Sequence, residues 1–248
     1  MSDLILVHDD GPIRTVRMNR PEKKNAMTVA MYEAMSAAIE SATPATRCIV
    51  IAGAPGAFCA GNDLQDFLAA SDDAAGLAPP LIHFLHVLAR AETPLVAAVS
   101  GLAVGIGTTM LLHCDHVVAS SDARFSTPFV HLGLVPEAAS SLLGPRRMGH
   151  ARAFSLLAMG RPLDAAGALA AGLVNTVVPP ADVEAETMKA AREIAALPAS
   201  ALAATRRLLR GSPDDAVKRI DEEAELFRVC LATPEARAAF AAFLERKK

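Results

Sequence analysis

Three stretches of this sequence carry residue types that could do chemistry. In residues 125–141, FSTPFVHLGLVPEAASS, Glu137 is the only acidic residue between Asp122 and Asp164. A carboxylate among apolar and small residues is either an acidic residue in a helix's first turn, here just after Pro136, or a base whose pKa burial has raised. Both readings stay open on local grounds. Residues 58–64, FCAGNDL, follow a short apolar run and carry Cys59, Ala60 and Gly61 before Asn62, Asp63 and Leu64. Small side chains leave backbone N–H groups open, and such groups at a helix start can bind an anion or polarise a carbonyl. Taken alone, such a loop is more often an ordinary strand-to-helix turn. Residues 101–107, GLAVGIG, repeat the arrangement after another apolar run. Two such loops matter more together than singly, because an oxyanion is held by two convergent donors.

Other chemistries find less support. The 101–107 glycines stand as G-x₃-G-x-G, not the G-x-G-x-x-G of dinucleotide sites. His83 and His86, and likewise His113 and His116, have a spacing that metal sites can use, but no further ligand follows at a recognisable distance. There is no G-x-S-x-G for a serine nucleophile, and no histidine is placed to activate Cys59.

The elements that must position these loops read as an α/β chain. Strands are expected over 4–8 and 13–18, joined by the turn Asp9-Asp10-Gly11-Pro12. Thr28 caps a helix whose apolar residues Met31, Met35, Ala38 and Ile39 fall at helical spacing. A strand over 48–51 leads to the first loop, where Asp63 is expected to open a short helix. A helix over 80–89, a strand over 95–99, a glycine-broken turn, a short helix to about His113 and a strand over 116–119 follow. Alternating strands and helices favour an α/β core. From Leu142 onward the sequence is Ala-rich and helical, with breaks at 160–162, 178–180 and 211–213. The division expected is a core over 1–195 and a helical region over 196–248.

Composition narrows the function classes. The chain has 248 residues, 52% hydrophobic and 21% charged, with a net charge of −3 and no Trp. That is an ordinary globular composition, with neither the basic footprint nor the stacking aromatics of a nucleic-acid binder. The cysteines form no CxxC pair, and the N-terminus lacks the basic and apolar run of a signal peptide. A cytoplasmic protein with reduced thiols is expected. Residues 93–114 hold no Asp, Glu, Lys or Arg, yet Pro94, Ser100, Gly101, Gly105 and Gly107 break them. They read as buried strand, turn and helix, not as a membrane span.

The three segments, in this order and separation, resemble the crotonase (enoyl-CoA hydratase/isomerase) superfamily. Further matching residues are Met18-Asn19-Arg20-Pro21, Asn25-Ala26-Met27, Pro94 to Gly107, Cys114-Asp115, Gly160-Arg161-Pro162-Leu163, Ala165-Ala166 and Gly172-Leu173-Val174-Asn175. The resemblance implies an α/β, ClpP-like spiral of ββα units with a helical C-terminal region that drives trimers, often paired into hexamers. It implies an oxyanion hole made by the backbone N–H groups of Asn62 and Ile106, the latter standing where Gly is commoner. It also implies CoA contacts along Cys59, Ala60, Gly61, Asp63 and Leu64, with Lys24 meeting the phosphates. The substrate implied is an acyl-CoA thioester, and no metal or redox cofactor is called for, coenzyme A being part of the substrate.

The two glutamates that serve hydration in the family match Thr109 and Phe129 here, and neither can transfer a proton as a carboxylate does. Thr127-Pro128-Phe129 to Leu132-Gly133, followed by Pro136-Glu137, resembles the single-glutamate Δ3,Δ2-enoyl-CoA isomerases of the peroxisomal type. The expectation is an isomerase with Glu137 as its base. The alternatives are a hydratase, another crotonase chemistry such as thioester hydrolysis, and a non-catalytic acyl-CoA binding protein. The acyl pocket walls are expected to depend on residues 67–81.

Overall fold

The computed structural model describes residues 4–54, 56–63 and 76–245, the last three by backbone only. Leu64, the short helix expected after Asp63 and residues 67–75 of the expected pocket wall lie outside the described residues. β1 (Ile5–Asp10) and β2 (Ile13–Met18) form the expected antiparallel hairpin. α1 (Val29–Glu40) starts at Thr28, whose hydroxyl accepts the Met31 N–H at 3.3 Å and so satisfies one orphan donor of the first turn.

The chain then repeats one unit. β3 (Cys48–Gly53) is followed by β4 (Ala57–Cys59), and after the undescribed stretch comes α2 (Pro79–Arg90). β5 (Leu95–Val99) and β6 (Leu102–Val104) precede α3 (Ile106–Thr109), which tightens into a 3₁₀ turn over Met110–His113. β7 (His116–Ser120) and β8 (Arg124–Ser126) begin the third unit. With β9 (Leu163–Asp164) and β10 (Thr176–Val178) from further along the chain, each unit sends its first strand to a six-stranded sheet, β1-β2-β3-β5-β7-β10, and its second to a four-stranded sheet, β4-β6-β8-β9. The pairs β3–β5, β5–β7, β4–β6 and β6–β8 are all parallel, so both sheets grow in step as the chain winds.

Residues 101–107 are therefore not a simple turn: β6 lies within them, paired with β4 and β8. β4, β6 and β8 escape a sequence reading because three small or mixed residues carry no period. The two-residue β9 (Leu163–Asp164) and β10 (Thr176–Val178) likewise interrupt a stretch expected to be helical. The C-terminal half supplies α4 (Ser140–Met148), α5 (His150–Ala153), α6 (Ala165–Ala170), α7 (Val183–Ala196), α8 (Ala199–Arg210), α9 (Pro213–Leu231) and α10 (Pro234–Glu245). Among the described residues no helix is long and apolar enough to cross a membrane.

One continuous apolar core packs α1 on the large sheet, α2 on α1 and α9 on α2, through Met31, Met35, Phe84, Leu88, Ile220 and Phe227. On the other face α7 covers β3 and β5 through Ala191. Several motif residues prove to be structural. Buried Asn25 donates to the carbonyls of Ala57 (2.7 Å) and Phe58 (3.2 Å), fixing β4. Asp115 accepts the Leu95 N–H at 2.9 Å and pairs with Arg206 of α8 at 2.9 Å, tying the helical region to β5.

Candidate active site

Each of the first two units leaves its small-sheet strand through a glycine in the left-handed region, Gly61 at φ 91° and Gly105 at φ 54°. The two glycines meet: a Cβ on Gly105 would lie 4.0 Å from the Gly61 Cα, and one on Gly61 would lie 3.2 Å from the Val104 carbonyl oxygen. The residues that follow, Asn62 and Ile106, are thereby brought together. The Met27 N–H binds the Gly61 carbonyl and the Asp63 N–H binds the Met27 carbonyl, both at 2.8 Å. This parallel bridge uses the groups on either side of Asn62 and turns its own N–H the other way. Ile106 is the first residue of α3, where an N–H has no intrahelical acceptor. Neither N–H donates a backbone hydrogen bond among the described residues.

Around the first loop, Ala60 N–H binds the Lys24 carbonyl at 3.0 Å, which sets exposed Lys24 beside Ala60 and Gly61. Asp63 pairs with Arg20 at 2.7 Å and anchors the loop's far end. Cys59 is buried, and desolvation pushes its thiol up to about 12, which makes it a poor nucleophile at neutral pH. Tyr32 of α1, packed against Phe84, donates its hydroxyl to the Asn62 side-chain oxygen.

Glu137 is 2% exposed. Its Oε1 accepts the Thr109 hydroxyl at 2.5 Å, and its Oε2 has no partner among the described residues. Burial raises its pKa from 4.5 to about 8; the Thr109 bond opposes the rise and the nearby Glu223 adds to it. Because Thr109 closes the helix that Ile106 opens, this bond sets the carboxyl within one turn of the Ile106 N–H. The backbone after Glu137 is unusual, since Ala138 (φ 63°) and Ala139 (φ 52°) both lie in the left-handed region that Ala normally avoids. The buried ring of His113 holds this turn through a 2.8 Å bond between Nε2 and the Ala138 carbonyl. Desolvation lowers its pKa to about 4, so it is neutral, with the hydrogen on Nε2.

The two readings of Glu137 now separate. It stands three residues ahead of α4 and bonds to Thr109, while the first turn of α4 is served by Glu223 of α9, whose Oε1 accepts the Ser141 N–H at 2.9 Å. Glu223 was legible as an anomaly, an acidic residue on the stripe Ala216, Ile220, Glu223, Phe227. Burial pushes it up to about 7 against the pull of the Ser141 and Ala139 groups. Glu223→Ala leaves the half-buried Ser141 N–H unpaired and is expected to cost about 1 kcal/mol of stability, read as a lower urea midpoint. Tyr32 and Glu223 are neighbours that sequence reasoning did not place at the site, and Thr109, read there only as standing where a hydratase has a glutamate, proves to be the hydrogen-bond partner of Glu137. No cluster of three metal-ligating side chains, around the histidine pairs or elsewhere, occurs among the described residues.

A family model described as enoyl-CoA hydratase/isomerase matches residues 9–248. The chain belongs to this family. Enoyl-CoA delta isomerase 2 of Rattus norvegicus is 38% identical over 98% of the chain, which spans 64% of that protein's length. A Rhizobium meliloti protein named "Probable enoyl-CoA hydratase" is 34% identical over 99% of the chain and 96% of its own. Among solved structures, an enoyl-CoA hydratase/isomerase from Pseudoalteromonas atlantica is 39% identical with a TM-score of 0.92, over 98% of both chains. OdaA of Pseudomonas aeruginosa is 40% identical with a TM-score of 0.91, over 98% of this chain and 99% of its own. The crotonase fold expected from the resemblance is thus the fold observed, and relatives of the delta-isomerase type are among the family members it matches. Isomerase and hydratase names both occur among the relatives, so the choice between them rests on the site.

Proposed function

We propose that this member of the enoyl-CoA hydratase/isomerase family is a Δ3,Δ2-enoyl-CoA isomerase that uses Glu137 as its one acid–base group. The observation that carries the reading is the buried Glu137 carboxyl beside the Ile106 turn, with a raised pKa and an unengaged Oε2, while the resemblance puts Thr109 and Phe129 where a hydratase has its two glutamates; Glu223, the other buried carboxyl nearby, is engaged by the Ser141 N–H. Water activation in that scheme is shared by two carboxylates. A double-bond shift needs only one, used twice.

In this mechanism the thioester carbonyl of a 3-enoyl-CoA lies between the N–H groups of Asn62 and Ile106. Glu137 takes a proton from C2 on Oε2, and the electron pair of that C–H bond forms the C1–C2 double bond of an enolate. The two N–H donors stabilise its oxygen. Collapse of the enolate moves the double bond to C2–C3, and the proton held by Glu137 goes to C4. A pKa of about 8 suits the carboxyl to both halves, since it accepts a proton more readily than a solvated glutamate and can hold it between steps. Lys24 and the Cys59 to Leu64 segment would receive the CoA portion. Such a reaction would serve the degradation of unsaturated acyl chains.

The test follows the fate of two thioesters. With a 3-enoyl-CoA the protein is expected to generate conjugated enoyl absorbance without a change of mass, and to leave a trans-2-enoyl-CoA unhydrated. Hydration of the 2-enoyl ester at a comparable rate would make the protein a hydratase. Binding of both esters without turnover would make it a binding protein.

A further inference from the structure

The Thr109 hydroxyl has one proton and two acceptors. Its Oγ1 lies 2.5 Å from Glu137 Oε1 and 3.3 Å from the Gly105 carbonyl oxygen, with the side chain fully buried. The Gly105 carbonyl and the Ile106 N–H are the two ends of one planar peptide. Thr109 therefore touches both the carboxyl that moves the proton and the peptide that supplies one oxyanion donor. This inference rests on the reading of Glu137 as the base and deepens it.

We infer that Thr109 is a positioning residue whose hydroxyl proton passes between Glu137 and the Gly105 carbonyl as Glu137 changes charge. When Glu137 is a carboxylate, the charge-assisted bond at 2.5 Å holds the hydroxyl proton and fixes the side chain so that Oε2 is left for the substrate. Once Oε2 has taken the C2 proton, the neutral carboxyl is a weaker acceptor and the hydroxyl proton turns to the Gly105 carbonyl. The Gly105 carbonyl already accepts the Thr108 and Thr109 N–H groups at 2.8 and 2.9 Å, and a further hydrogen bond polarises its peptide more and makes the attached N–H a better donor. The Ile106 N–H is thus strengthened when the enolate oxygen in front of it bears the charge. No proton is gained or lost by Thr109, which only redirects its own.

Other titratable groups packed around Glu137 are Tyr32 from α1, Cys59 from β4, His113 beside Ala138 and Glu223 from α9. The first three stay neutral across the pH range of interest, and Glu223 titrates with its own carboxyl carbon resonance.

The experiment is a residue-resolved NMR titration of the free protein, following the Glu137 carboxyl carbon and the Ile106 amide, in the native chain, Thr109→Val and Thr109→Ser. The native and serine proteins are expected to show the Ile106 amide shifting with the Glu137 midpoint. In the valine protein that midpoint is expected to move upward and the Ile106 amide to lose the transition. With substrate, Thr109→Val is expected to lower kcat roughly ten- to a hundredfold with little change in KM, and serine to restore most of it. If valine does not fold, Thr109→Ala removes the same hydroxyl without adding bulk. An unmoved Glu137 midpoint without the hydroxyl, or an Ile106 amide indifferent to Glu137 in the native protein, overturns the coupling. The titration needs no substrate, so failure of the native protein to isomerise any 3-enoyl-CoA removes instead the functional reading beneath it.

Discussion

Glu137→Gln is expected to cut isomerisation of a 3-enoyl-CoA by roughly 10²- to 10⁴-fold, the span that a positioned general base contributes. Gln keeps the shape and can still accept from Thr109, so the loss would belong to proton transfer and not to collapse of the site. Binding of a saturated acyl-CoA, measured by calorimetry, should hardly change, because the CoA-facing segment and the two N–H donors are untouched. The native pH profile carries the same signature. A base must be deprotonated to act, and kcat/KM reports the free enzyme, so kcat/KM should climb with pH and level off above about 8. A flat profile from pH 6 to 9, or a Gln variant with near-native turnover, would take Glu137 out of the chemistry.

The same substitution should stabilise the protein at alkaline pH. Folding raises the Glu137 pKa from 4.5 to about 8, so between these values the folded state holds a proton that the unfolded state has released. Stability then falls as pH rises. The contribution is fully present below 4.5 and is lost as pH passes through 8. That gap corresponds to on the order of 5 kcal/mol of strain carried by the ionised, buried carboxyl. Glu223, raised to about 7, adds a slope of the same sign over a lower range. Urea unfolding at pH 5 and pH 9 should therefore show the native and Glu137→Gln proteins nearly alike in acid and the variant several kcal/mol more stable in base. Parallel behaviour at both pH values would mean that the carboxyl is solvated, and the raised pKa with it would fall. A residue that costs stability in the form that works is expected of a site selected for reaction.

What the sequence made legible follows from what leaves a local trace. α1 announces itself through Thr28 and a helical stripe, and the long buried strands through apolar runs bounded by turn residues. The three-residue strands β4, β6 and β8 exist because neighbouring units pair them, and no local pattern in Ala57–Cys59 or Leu102–Val104 encodes that pairing. At the site, the small residues of the two loops suggested exposed N–H groups, which the resemblance assigned to Asn62 and Ile106, and the isolation of Glu137 among apolar residues left burial as one of two open readings. The partners of these groups come from elsewhere in the chain. Tyr32 is not among the residues Met31, Met35, Ala38 and Ile39 that mark its helix, Thr109 reads as a lost carboxylate, and Glu223 is 86 positions from the carboxyl it influences. Contacts of that span are set by tertiary packing, so their residue types were visible and their roles were not.

The most direct test of a single carboxyl working at both carbons is to follow one hydrogen. A 3-enoyl-CoA carrying deuterium at C2 would be converted in ordinary water under single-turnover conditions, and the product examined for label at C4. Because Glu137 is sealed in the core, the account predicts that a measurable share of the deuterium taken from C2 arrives at C4 of the 2-enoyl product. Product with no deuterium at C4, every hydrogen there drawn from solvent, would mean that a second group delivers the proton and would contradict the one-base mechanism.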